Sequence, residues 1–123
     1  MKSSSFEFQL GLIVSRRHAD GVTCRLPLHP GLFNSEGAVH GGIIATVADE
    51  VSWHAILHQL GSPAKMTTAE LKVNYLRPIA GQSLTARGIV LKLGRMLMVT
   101  RVDIFDEQRK LAAHATVTYA RLN

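Results

Sequence analysis

Only one cysteine, Cys24, occurs in the sequence, so no internal disulfide can form and no cysteine-based metal site is possible. Its alternation with Val22 and Leu26 makes it a small core residue rather than a reactive thiol. Aromatic residues make up 6% of the chain, too few for the stacking platforms that hold single-stranded nucleic acid. No run of about 18 apolar residues is present, which excludes a membrane-spanning helix. The start of the chain, Met1-Lys2 followed by three serines and Phe6-Glu7, has no continuous apolar stretch of the kind that directs secretion. The expected compartment is therefore the cytoplasm. His18, His29 and His114 are isolated. Glu50, His54 and His58 recur every four residues along one helix edge, but the glutamate leads and no third histidine follows at a ligand spacing. No metal is expected.

What is present fits an ordinary globular domain: 46% hydrophobic and 19% charged over 123 residues. A chain of this length makes one domain, 1–123, and hides roughly two-thirds of its unfolded surface on folding. The net charge of +5 favours anionic partners. The basic residues are scattered and match no nucleic-acid-binding pattern. A phosphate-rich small molecule suits the charge; a merely soluble basic surface is the alternative.

The segments Phe6 to Val14 and Gly21 to Leu28 read as extended, joined by a polar turn at Arg16 to Asp20. Pro27, Pro30 and Gly31 mark irregular chain to about Gly37. From Gly41 to Leu60 there is no proline and no strand-like alternation, and Gly61-Ser62-Pro63 supplies a left-handed cap and a stop. This predicts one helix of about 19 residues, roughly 28 Å long. Ile44, Ala48, Val51 and Ala55 form one apolar stripe, widened by Ile43 and Val47; Trp53, Ile56 and Leu60 lie nearly opposite. A helix apolar on two sides is expected to be buried on two sides. Strands are predicted at Met66–Tyr75, Leu84–Leu93, Met96–Phe105 and Leu111–Tyr119, the last three as an antiparallel meander. The predicted class is α+β: a single antiparallel sheet wrapped around one long central helix.

The segment with chemical potential is Asn34-Ser35-Glu36-Gly37-Ala38-Val39-His40-Gly41-Gly42, with Asp49 beyond it on the helix. Glycines at a helix start let another group approach the backbone, and the first-turn amides lack internal partners and carry the positive dipole end. Such an amide can hold an oxygen that becomes negative, as in acyl transfer, where one donor is worth about 3–4 kcal/mol of barrier. A tight loop-to-helix turn would use the same glycines. Asp49 lies mid-helix on the side of Trp53 and Ile56, where a charge is costly to bury. Gly41 and Asp49 are about 12 Å apart along the axis. One aspartate and one amide of the same helix therefore cannot meet at one carbonyl. Either Asp49 is structural, or it faces the helix start of a second subunit across a two-fold axis.

The run Asn34-x-x-Gly37-x-x-His40-Gly41-Gly42, with Ala48-Asp49 following, resembles the PaaI-like, phenylacetate-degradation branch of hotdog-fold acyl-CoA thioesterases. Thr67-Thr68-Ala69-Glu70-Leu71-Lys72-Val73-Asn74-Tyr75-Leu76-Arg77-Pro78, Gly81, Gly94-Arg95 and Ala115-Thr116 extend the similarity over nearly the whole chain from about Gly11. The resemblance implies a hotdog fold and hydrolysis of acyl-coenzyme A by a homodimer or homotetramer. It implies no cofactor, since coenzyme A is part of the substrate, and no nucleic-acid or membrane partner. By the same resemblance, Asp49 is general base or nucleophile, and the Gly41 amide polarises the thioester carbonyl. Asn34 places the carbonyl or the attacking water, His40 orders the loop, and Thr68 bonds the water from across the dimer. Gly42 and Trp53 would border the substrate. Arg77 and Arg95, with Lys92, lie at strand ends and turns where they could hold phosphates or simply be solvated. Two rival functions remain: a hydratase or dehydratase of acyl thioesters, and a non-catalytic acyl-CoA-binding module.

Overall fold

The computed structural model describes residues 6–122. Helix α1 (Phe6–Leu10) leads into strands β1 (Ile13–His18) and β2 (Gly21–Pro27). The long helix α2 (Gly41–Leu60) follows, then β3 (Met66–Tyr75), β4 (Ser83–Leu93), β5 (Leu97–Phe105) and β6 (Leu111–Arg121). The six strands form one sheet in the order β1-β2-β4-β5-β6-β3, every neighbouring pair antiparallel. Strands β2 to β6 all touch α2, so the helix lies along the sheet as its central element.

The period of two along each strand sets the core. Leu84 and Ala86 on β4, Met98, Val102 and Ile104 on β5, and Ala113, Ala115, Val117 and Tyr119 on β6 turn inward onto Ile44, Val47, Ala48, Val51, Ala55 and Ile56. Cys24 is fully buried in this core, and burial pushes its thiol up to about 12. A polar bridge crosses it too: the Thr100 hydroxyl lies 2.6 Å from the Ser52 hydroxyl, which donates to the Ala48 carbonyl at 2.8 Å. Helix α2 ends as the sequence predicts, with Gly61 at φ 72° and its N–H bonded to the Leu57 carbonyl.

Two expectations are corrected. The stretch Phe6 to Val14 is not one strand: Phe6–Leu10 is helical, and β1 begins only at Ile13. The apolar alternation of Phe6, Phe8 and Leu10 imitates a strand, but both phenylalanines are exposed, whereas Glu7 and Leu10, three apart on one helical face, are buried. The turn is Ala19-Asp20, and Arg16 and Arg17 pair within β1 with Thr23 and Val22. The second apolar side of α2 is covered only in part: Ile56 is fully buried, but Trp53 and Leu60 pack at the margin of the core, because a six-stranded sheet covers one side of a helix.

Strand β3 is the edge next to β6, and no other strand among the described residues pairs with it. Only Met66 and Val73 of its ten residues are even partly covered. Leu71, Tyr75 and the following Leu76 stand exposed.

Candidate active site

The loop before α2 is folded by its own side chains. Asn34 Oδ1 accepts from the N–H groups of Glu36 (2.9 Å) and Ala38 (3.1 Å), and the Asn34 N–H donates to the Ala38 carbonyl at 2.7 Å. Gly37 completes the turn at φ 80°, a conformation that favours glycine. Val39 N–H to Ile79 O and His40 N–H to Leu32 O fasten the loop to its neighbours. His40 is the N-cap, its Nδ1 accepting from the Gly42 N–H at 3.5 Å. The Gly41 N–H, by contrast, has no partner among the described residues and stands at the positive end of the helix. Tyr75, at the end of β3, donates its hydroxyl to the Gly41 carbonyl at 2.7 Å and so fixes the helix start against the edge strand. Asn34, Gly41, Ile44, Tyr75, Arg77 and Ile79 line a groove of about 470 Å³ here.

Asp49 lies two turns along α2, half-buried. Its Oδ1 accepts the Thr68 hydroxyl at 2.7 Å and the Tyr119 hydroxyl at 2.7 Å; the Tyr119 oxygen is also 3.0 Å from the Asp49 carbonyl. Thr68 thus meets Asp49 within one chain, not only across a subunit boundary. Tyr119 is buried, and burial holds its phenol above the ordinary range, opposed by the hydrogen bond with Thr68 and supported by the Asp49 carboxylate, so it stays a donor.

The neighbouring residue turns into a different setting. Glu50 approaches Glu7 of α1, and burial together with that second carboxyl pushes it up to about 7. Glu7 is 6% exposed and lies 2.6 Å from Nε2 of His54, whose own pKa is lowered chiefly by burial. His58 Nε2 meets the His18 carbonyl instead. Glu50 and His54 thus share Glu7 while His58 turns elsewhere, and no group of three metal-capable side chains gathers among the described residues.

Of the residues singled out from sequence, one chain brings Asn34, Gly41 and Arg77 to the groove, and Asp49 and Thr68 to a second place. His40 and Gly42 adjoin the first. Trp53, one turn beyond Asp49, is half-buried with its ring edge-on to His54 at 5.1 Å. Arg95 is exposed on the β4–β5 hairpin and belongs to neither cluster. Sequence reasoning missed Tyr75 and Tyr119. They are the only tyrosines in the chain, which was the signal available. Chemically, the chain offers one carboxylate oxygen and one helix-start amide that have no partner among the described residues, in two separate half-sites.

The thioesterase superfamily model matches residues 36–113. Human acyl-coenzyme A thioesterase 13 is 32% identical over 109 residues, spanning 86% of this chain and 76% of the human protein. The crystal structure of a thioesterase from Haemophilus influenzae matches with a TM-score of 0.91 at 26% identity, over 98% of this chain and 85% of that one. The PaaI protein of the Escherichia coli phenylacetic acid degradation operon matches in fold, with a TM-score of 0.83 at 22% identity over 94% of this chain and 82% of its own. Sheet order, the single long helix and the sequence match agree, and the chain belongs to the thioesterase superfamily, with its hotdog fold.

Proposed function

We propose that this protein hydrolyses acyl-coenzyme A thioesters to a carboxylic acid and coenzyme A, at a site shared between two chains. One observation carries the reading: each chain holds both halves of a hydrolytic site, a carboxylate and a helix-start amide with no partner among the described residues, on one helix too far apart to meet. The outer edge of β3 and the partly covered second side of α2 offer the place for a second copy. Antiparallel pairing of two β3 strands about a two-fold axis would set each Asp49 opposite its mate's Gly41. A homodimer is then the smallest competent unit, and a homotetramer of two such dimers is compatible with it.

In this reading the thioester oxygen sits on the Gly41 N–H. Asp49 then either takes a proton from a water that adds to the carbonyl carbon, or adds to it itself and is freed by water. The C–S bond breaks, and the coenzyme A thiolate leaves and takes up a proton. Thr68 orients the carboxylate, while Asn34 and His40 hold the loop, with the Asn34 amide nitrogen left over for the carbonyl or the water. Gly42 and Trp53 border the acyl group. Arg77 beside the groove and Arg95 on the hairpin supply positive charge for the coenzyme's phosphates.

The test is thiol release from a panel of aryl, medium-chain and long-chain acyl-CoAs, with Asp49→Ala as control. Turnover is expected to fall by about 100-fold or more in the variant. Unchanged turnover would remove Asp49 from the chemistry; binding of acyl-CoA without thiol release would make the protein a binding module; consumption without thiol release would point to hydration or dehydration.

A further inference from the structure

From the convergence of two hydroxyls on a single carboxylate oxygen, we infer that Tyr119 is a positioning residue that, with Thr68, holds Oδ1 of Asp49 and leaves Oδ2 as the atom that meets water or substrate. The inference rests on the reading of Asp49 as the working carboxylate and adds to it which oxygen works and what selects it.

The geometry is asymmetric. Both short contacts, 2.7 Å from Thr68 and 2.7 Å from Tyr119, end on Oδ1, and Oδ2 has no hydrogen-bond partner among the described residues. Thr68 and Tyr119 are paired across the β3–β6 ladder, so the two donors are set side by side by strand register rather than by flexible side chains. Tyr119 is also the more deeply buried of the two. Its ring is 5% exposed and packed in the core, whereas Thr68 is exposed on the edge strand. Two donors on one oxygen fix the rotation of the carboxylate about the Cβ–Cγ bond. A carboxylate free to rotate would present either oxygen, and a misplacement of about 1 Å can cost on the order of 100-fold in rate. The phenol keeps its proton throughout, so Tyr119 orients the carboxylate without taking part in proton transfer.

The test compares Tyr119→Phe with wild type and Asp49→Ala on the best substrate of the panel. Tyr119→Phe removes one oxygen and keeps the buried ring. The expected result is a loss of about tenfold or more in kcat with KM within about twofold, since orientation of the reacting oxygen matters in the transition state and little in binding. Thr68→Ala combined with Tyr119→Phe is expected to lose less than the product of the two separate losses, because both donors act on one atom. If Asp49→Ala is inactive and Tyr119→Phe keeps its kcat, the positioning role is wrong while the hydrolase reading stands. If Tyr119→Phe raises KM alone, Tyr119 contacts substrate and the inference is likewise overturned. If Asp49→Ala remains active, the parent reading has failed and this one with it. A second measurement covers failure of the variant to fold. Fluorotyrosine labels only positions 75 and 119, and the resonance that survives Tyr75→Phe belongs to 119. It is expected to shift on Asp49→Asn; an unmoved resonance denies the contact.

Discussion

Glu50 sits one residue past Asp49, half-buried beside the buried Glu7 carboxyl and pushed up to about 7 from an ordinary 4.5. Below about pH 4.5 the folded and unfolded chains are both protonated there. Between pH 4.5 and 7 the folded chain keeps a proton that the unfolded chain releases, so the contribution of Glu50 to stability is lost as pH rises through that window. His54 acts in the other direction, since its lowered pKa disfavours folding as pH falls below 6.5. Comparing two variants at equal pH cancels that part. Glu50→Gln is therefore expected to melt close to wild type at pH 5 and a few degrees higher at pH 8, read by thermal melts in matched buffers. At this scale the sequence was legible where chemistry is written locally. His40, Gly41 and Asp49 could be picked out because the loop, the helix start and the mid-helix charge lie within one stretch. Tyr119 could not, and Thr68 is reached only through the resemblance, not as a partner of Asp49. Tyr119 is 70 residues away and Thr68 is 19, and only the β3–β6 register brings them together.

Helix α2 is seated unusually close to strand β4. At Gly88 an added Cβ would stand 2.7 Å from Val51 Cγ1 and 3.6 Å from Ala55 Cβ, so the glycine admits the helix to the sheet. Gly88→Ala is expected to cost about 1–3 kcal/mol through forced displacement of Val51, measured as a drop in denaturation midpoint with an unchanged slope. The bounds of α2 and β3 followed from sequence because Gly61, Pro63 and the period of two punctuate them strongly. Helix α1 did not, since five residues give too few positions to separate a period of two from one of 3.6, and the buried glutamate on its inner face ran against the usual burial rule. The partial exposure of Trp53 was hidden for another reason: apolar residues on two sides of a helix announce burial without saying whose surface provides it.

For the whole molecule, two half-sites on one helix lead to a complementation experiment. Gly41→Pro deletes the helix-start N–H at a position where proline is tolerated. That N–H has no partner among the described residues, and a Cβ there meets Tyr75 at 3.5 Å, an ordinary contact. Alone, this variant and Asp49→Ala should each be nearly inactive. Unfolded together and refolded as an equimolar mixture, they should regain about a quarter of wild-type activity, because half the dimers are then mixed and each mixed dimer has one intact site. Recovery of nothing, with mixed dimers confirmed by mass, would place both groups in one chain's site. Tyr75 adds a consequence of its own. It ends the open edge strand and grips the Gly41 carbonyl, one peptide on from the N–H on which the thioester oxygen would rest. On this reading, a newly made chain would be idle until it met a twin, and dilution would silence the enzyme as effectively as an inhibitor.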